Sequence, residues 1–368
     1  MKAYALTPQD AWFFRDGRPY NLGESNQSDT RSIFPPPART LTGAMRAALA
    51  RANNWNGRDR WSPELESAFG RGPNDLGGLQ FVGPFLIKDK KAFWPMPRHV
   101  LGRKQDRWQP VAFLRPDETR KTHLTDAGDQ NLPVIDLPPS EKGDGLKPAD
   151  TTWISVQALK SILEGKLPSA SDIAEQKELW ELESRVGLHR DTLKRTTGKG
   201  ALYSPAYVRL HRKVALGIAM AETPGDLKTD PPALFPLGGE SRLAQCESWT
   251  GELLPAVPPR ESFTPDETGR IRFTVILLTP GSFTQPPLAG ATVVSACVGK
   301  PVFIGGWDSL NREPLPLQPF KPAGSIWFCT VDKAEFAAIH AQHGKHLGAH
   351  TKHGFGQIVI GRWPQPSH

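Results

Sequence analysis

FPPPARTLTGAMRAALA, residues 34–50, decides how the first part of the chain folds. Proline holds φ at about −65° and keeps the residue before it extended, so Pro35, Pro36 and Pro37 deliver the chain straight to a helix start. Thr40 or Thr42 is placed to cap that start. Leu41, Ala44, Met45, Ala48, Leu49 and Ala52 then recur at the three- and four-residue spacing of one helical face, while Arg39, Arg46 and Arg51 lie off it. One face is made for a core, and its edges are cationic. Just upstream, FRDGRPY (14–20) reads as a strand exit.

Working outward, Lys2 to Leu6 alternates weakly and predicts a short strand ending at Pro8. LQFVGPFLI (79–87) predicts another, and its Gly83 and Pro84 mark an edge or a bulge. From Lys88 to about Asp150 the chain is rich in Pro, Lys and Asp without sustained periodicity, which predicts an irregular, partly mobile excursion in which Phe93, Trp94, Trp108 and Phe113 still want burial. Helices are expected at 155–164 and 171–183, the second capped by Ser171 with Ile173, Leu179 and Leu182 inward. Strands are expected over 207–220 and within 234–249, where Gly238 and Gly239 form a turn. This succession is a ferredoxin-like pattern swollen by an insertion.

A linker with Pro255, Pro258, Pro259 and Pro265 then leads to RIRFTVILLT (270–279), which reads as a buried strand. Further strands at 292–298, 325–331 and 357–361 and a helix near 333–342 repeat the logic of the first half. The expectation is an α+β protein of two ferredoxin-like (RRM-like) domains. They comprise residues 1–254, with an insertion at about 88–204, and residues 255–368.

A chain of 368 residues with 38% hydrophobic content, 11 Trp and 17 Phe has room for two cores, and its 36 Pro and 34 Gly imply many irregular connections. Cys246, Cys297 and Cys329 are scattered and lack CxxC spacing, which argues against a disulfide framework or structural zinc and for a reducing cytoplasm. No apolar run approaches the roughly 20 residues that span a bilayer, and MKAYALTPQD has no signal-peptide core, so neither export nor membrane insertion is expected. The net charge of +7 is local: between Arg185 and Lys213 eight Lys or Arg face one acid, Asp191, so this window carries all of the excess. A polyanionic partner follows, against the plainer reading of a solvated basic hairpin.

Three patterns invite chemistry. GFGQIVIG (354–361) lacks the strand before and helix after that a dinucleotide fingerprint requires. It is read as a helix-to-strand turn in which Gly354 and Gly356, flanking Phe355, offer amides to phosphate, as Gly238 and Gly239 do in the first half. His340, His343, His346, His350 and His353 cluster, but Gly344 and Gly348 interrupt the helix and no acid completes a metal shell, so no metal site is assigned. His189 beside Arg190, with Tyr203 and His211 nearby, is the best general-base candidate for cutting RNA through its 2′-hydroxyl. No nucleophile elbow, Walker loop or framed carboxylate pair accompanies it, so binding chemistry is more legible than reaction chemistry.

FRDGRPY, FPPPARTLTGAMRAAL, RVGLHRDTLKRTTGKGALYSPAYVRL (185–210), LFPLGGESRLA, FIGGWD, PAGSIWF and HGFGQIVIG together resemble the third Cmr subunit of type III-B CRISPR effector complexes, of the RAMP superfamily. The match covers about half of the chain and leaves 88–150 aside. The resemblance implies two ferredoxin-like domains and a non-catalytic, cofactor-free subunit that holds the 5′ handle of the CRISPR RNA. It also implies contact with the large polymerase-like subunit and the first backbone subunit, with no small-molecule substrate. On this reading 185–207 projects as a hairpin along RNA. Arg185, His189, Arg190, Lys194, Arg195 and Lys199 are its RNA contacts, and Tyr203 or Tyr207 stacks a base. The glycine turns and, at the flank, Arg39 and Arg46 complete the site. A related RAMP branch cuts repeat RNA without metal, so the rival reading is a repeat-processing endoribonuclease with His189 as base.

Overall fold

A computed structural model of the chain describes residues 1–15, 29–30, 32–122, 130–137, 143–190, 197–221 and 227–364. The chain divides into two compact units that interleave in sequence. The first is Met1–Lys90, Lys177–Thr250 and Phe303–Gln318, and the second is Lys91–Gln176, Gly251–Val302 and Pro319–His368. The protein is mixed α and β and rich in sheet.

In the first unit, β1 (Lys2–Pro8) leads by way of the prolines into α1 (Ala38–Ala52) and α2 (Pro63–Phe69), and then β2 (Phe81–Lys88). The helix begins earlier than the threonines suggest. Pro37 is its N-cap, no side chain caps it, and the Thr42 hydroxyl instead donates to the Arg39 carbonyl at 3.2 Å. The expected face is inward: Leu41, Met45 and Leu49 are fully buried, each contributing about 1.5–3 kcal/mol of apolar transfer.

Beyond α2 and β2 the unit continues with β3 (Trp180–Ser184), β4 (Gly187–Arg190), β5 (Thr197–Leu210), β6 (Val214–Met220), β7 (Leu234–Pro236) and β8 (Leu243–Trp249). The ladder runs β2-β6-β1-β8-β7, antiparallel throughout. The interruption expected at Gly83 is a bulge: Gly83 has φ +113° and the β2–β6 register slips between Gly217 and Ala219. There Phe85 lies over Gly217, where a Cβ would meet its ring at 2.2 Å, so only glycine fits. Lys213, at φ +62°, turns the expected single strand 207–220 into two.

The second unit repeats this order. Its strands β9 (Ile271–Leu277), β10 (Thr292–Cys297), β11 (Ile326–Val331) and β12 (Ile358–Gly361) form an antiparallel sheet β10-β11-β9-β12. Numbered along the chain, this is second-third-first-fourth, the order that β2-β6-β1-β8 also follows. Phe273, Val275, Leu277, Trp327, Ile358 and Ile360 make its core. The expected helix at 333–342 shrinks to α4 (Phe336–His340), since Gly344 at φ +77° and the left-handed His350 turn the chain away. α3 (Val156–Leu163) starts as expected, with the Ser155 hydroxyl accepting the Ala158 amide at 3.2 Å.

Two expectations fail in this region. The excursion 88–150 is largely strand: Lys91–Pro95, Val100–Lys104, Trp108–Thr122, Gln130–Asp136 and Lys147–Pro148. Pro110, Pro116 and Pro133 inside those strands disguise the pattern, while Phe93, Trp94, Trp108 and Phe113 bury as expected. Nor is 171–183 a helix. Ile173–Glu175 pairs with Thr152–Ser155, and buried Glu175 accepts the Trp108 amide at 3.1 Å, so tertiary pairing overrides the helical pattern. No helix among the described residues is long and apolar enough to cross a membrane.

Candidate nucleic-acid interface

β5 is the spine of the basic window. At one end it pairs with β3, from Trp180↔Leu210 to Ser184↔Ala206, and at the other with β4, from Gly187↔Tyr203 to Arg190↔Thr197. The result is one long hairpin, and 14 residues of β5 at about 3.3 Å each extend about 45 Å. A register irregularity between Leu188 and Arg190 sets off His189. His189, Arg190, Lys199 and Tyr203 are placed here by backbone alone, and their side chains lie outside the described part. Lys194 and Arg195, within 191–196, lie outside the described residues.

The foot of the hairpin is built around Tyr207. Its ring lies 5.7 Å from that of Phe13, and the guanidiniums of Arg185 and Arg242 sit over it at 4.9 and 4.4 Å. Its hydroxyl donates to Glu240, and burial, with Glu240 adding to it, raises the phenol's pKa. Only 4% of Tyr207 is exposed. The expectation that it stacks a base is therefore corrected, because the ring is already covered.

Asp10 gathers the cations. It accepts from Arg185 Nη1 and Nη2 at 2.8 and 3.2 Å, from Arg209 Nη2 at 3.0 Å and from Arg242 Nη1 at 3.2 Å. Glu183 accepts from Arg185 Nε at 2.6 Å and from Arg209 Nε. The Arg185 hydrogen bond, helped by Arg209, holds the Asp10 carboxyl down to about 2. Arg209 first and Arg185 second hold Glu183 below the usual carboxylate range. Both acids are thus ionised at neutral pH. Asp10 is 46% exposed, so each pair is worth about 1 kcal/mol or less, and the network serves geometry more than stability. Arg185 and Arg209 spend their charge here. The other six cations of the window are Arg190, Lys194, Arg195 and Lys199 on the hairpin and Arg212 and Lys213 just after it, where Lys213 reaches Asp89 at 3.5 Å.

Of the two flanking contacts, Arg46 is corrected. Arg46, 7% exposed, donates from Nε to Phe69 O (2.7 Å), from Nη2 to Gly70 O (2.7 Å) and from Nη1 to Gly72 O (2.8 Å), beneath Trp61. Burial pushes its guanidinium down to about 10, still charged at neutral pH. It is a clamp on the turn after α2. Arg39 is half-buried, reaches Asn74 Oδ1 at 3.4 Å, and packs beside Gly306.

Three of the four glycine amides in the two turns are taken within the chain. Gly239 donates to Phe13 O (2.8 Å), Gly354 to Thr351 O (2.9 Å) and Gly356 to Pro280 O (2.8 Å). Gly238, at φ +85°, lies where a Cβ would meet Phe13 O at 2.6 Å, so this exposed turn is seated on Phe13 and presents Glu240 and Arg242 to Tyr207. At Gly356 a Cβ would meet Leu347 O at 1.9 Å, and Phe355 is fully buried against Phe320. These turns permit close packing and offer no free donor at those three amides.

The histidines are absorbed likewise. His340 Nε2 bonds Pro258 O (2.9 Å), His343 Nε2 bonds Pro255 O (3.0 Å) and His346 Nδ1 bonds Phe355 O (3.0 Å). A carbonyl can only accept, so each of those ring nitrogens carries the proton. His343 Nδ1 then accepts the Ile360 amide at 3.1 Å, and burial lowers its pKa. Among the described residues no three His, Cys, Asp or Glu come together as a metal site.

Asp10, Glu183, Glu240, Arg242 and Phe13 are the site residues that sequence reasoning missed. Only Glu183 gave a signal, as an acid two positions before Arg185. Asp10 is 175 residues from its first partner.

Comparison with known proteins completes the picture. A chain in a cryo-EM structure of the type III-B Cmr-beta bound to cognate target RNA and AMPPnP is 14% identical, covering 89% of this chain and 86% of that one, with TM-score 0.47. A chain in a crystal structure of a Csm3–Csm4 subcomplex of the type III-A CRISPR-Cas interference complex is 12% identical, covering 90% and 97%, with TM-score 0.36. No curated protein matches. The family described as CRISPR-associated protein (Cas_Cmr3) matches residues 4–363, nearly the whole chain, and the chain belongs to that family.

Proposed function

We propose that this chain is a non-catalytic RNA-binding subunit of a type III-B CRISPR RNA-guided effector complex. It holds the 5′ handle of the CRISPR RNA and caps the assembly next to the large polymerase-like subunit and the first backbone subunit. The observation that carries the reading is the hairpin from Gly187 to Leu210, whose sequence carries Arg190, Lys194, Arg195 and Lys199 beyond a foot locked by Asp10 and Glu183. A braced foot lowers the ordering cost of presenting Arg190, Lys194, Arg195 and Lys199 to a phosphate chain. Both antiparallel ladders are read as ferredoxin-like, on the shared strand order second-third-first-fourth.

Four neutralised phosphates on single-stranded RNA give a slope of log K against log salt of about −2.8. Fluorescence anisotropy with a handle oligonucleotide measures it. Joint reversal of Arg190, Lys194 and Arg195 to Glu is expected to abolish binding at an unchanged melting temperature. A salt-independent affinity, or unchanged binding by the triple variant, removes the hairpin from the site.

A further inference from the structure

The hairpin 302–320 has no part in the proposed RNA site. Its strands, Val302–Asp308 and Glu313–Phe320, pair only with each other among the described residues. Large apolar side chains crowd its surface: Phe303 is 64% exposed, Trp307 59%, Leu310 55% and Leu317 47%. Phe303 and Trp307 are the only exposed Phe or Trp among the described residues. An apolar surface of this kind on an ordered element marks an interaction site.

Its form is prepared in advance. Asp308, 6% exposed, accepts the amides of Leu310 (2.8 Å) and Asn311 (3.2 Å) and the side-chain amide of Asn311 (2.9 Å), which fixes the turn. Alternate strand residues face one way, so Phe303, Gly305 and Trp307 share the outer face while Ile304 and Asp308 are buried. Gly305 carries no side chain between the two aromatics, and a Cβ there would meet Leu315 O at 3.0 Å and Leu317 Cδ2 at 3.1 Å, so the gap is bordered by the facing strand.

Charge and backbone define the occupant. From Val302 to Phe320 the charged residues are Asp308, Arg312 and Glu313, two acids against one cation, which offers nothing to a polyanion. Pro314, Pro316 and Pro319 deprive the second strand of three N–H donors, whereas Val302–Asp308 contains no proline and keeps all of its own. We propose that the hairpin docks another protein chain, which lays an extended, uncharged apolar segment along Val302–Asp308 and seats one side chain over Gly305 between Phe303 and Trp307. This is strand addition, with backbone pairing for affinity and the aromatic gap for selectivity.

The test purifies the complex from its native host through a tag on the full chain, either wild type or Phe303→Ser/Trp307→Ser. One co-purifying protein is expected to fall at least about tenfold relative to the tagged chain, the loss typical of two aromatic hot spots, while bound RNA stays constant. Amide exchange over 302–308 is expected to be slower in the wild-type complex than in the isolated chain, a comparison that needs no variant and so decides even if the variant misfolds. The proposal is overturned by unchanged protein composition or by exchange that is equally fast in both. It is also overturned by loss of RNA at constant protein, or by self-association of the isolated chain that depends on Phe303 and Trp307. None of these outcomes touches the cations of the other hairpin, so the RNA-binding reading stands or falls separately.

Discussion

Replacing Arg46 with Met keeps the aliphatic stem beneath Trp61 and removes only the guanidinium. The three carbonyls of Phe69, Gly70 and Gly72 then lose donors at 2.7, 2.7 and 2.8 Å. A hydrogen bond from a charged donor is worth about 1.5–3 kcal/mol, and relief of the buried cation offsets part of the sum, leaving a net cost of about 3–5 kcal/mol. For a unit of this size that is a fall in melting temperature of about 10 °C, read by circular dichroism. Arg46→Lys should recover only part of it, because one ammonium cannot span three carbonyls held in a guanidinium fork. Handle binding by the folded protein should not change, since Arg46 is buried. A melting temperature within about 1 °C of wild type, or an RNA affinity about tenfold weaker at intact fold, would refute the clamp.

Acid is expected to destabilise the second unit. Burial lowers the pKa of His99 from 6.5 to about 3 and lowers that of His343, so both rings take up protons more readily when unfolded than when folded; stability is lost as pH falls below 6.5. Thermal melts at about pH 7.5 and about pH 5 measure this, and His99→Phe, which keeps a ring stacked on Phe113, should shrink the difference. Incubated with repeat RNA in EDTA, the purified protein is expected to leave it uncut. A defined cut that disappears in His189→Ala would move the protein to the endoribonuclease reading.

Sequence served best where information is local. The apolar face of α1, the buried strand β9 and the charge excess between Arg185 and Lys213 depend on neighbours within a few residues, and all three could be read directly. What stayed hidden depends on partners far along the chain. Counting charges found Arg185 and Arg209 but not the Asp10 that neutralises them, and Tyr207 looked like a base platform because nothing nearby in sequence announces Phe13 and Arg242. Prolines within strands made 88–150 look irregular. The glycines at 354 and 356 looked like open amides, although Pro280 and Leu347 fill the space around Gly356.

The central claim is that this chain holds one defined end of a guide RNA. Its most direct test is to purify the tagged full-length protein from its native host, extract the nucleic acid and sequence its 5′ ends. The account predicts RNA in which a single 5′ sequence is shared by molecules of otherwise different sequence, and which is lost when Arg190, Lys194 and Arg195 are reversed. Nucleic acid with 5′ ends as varied as the cell's RNA pool, or none at all, would contradict it.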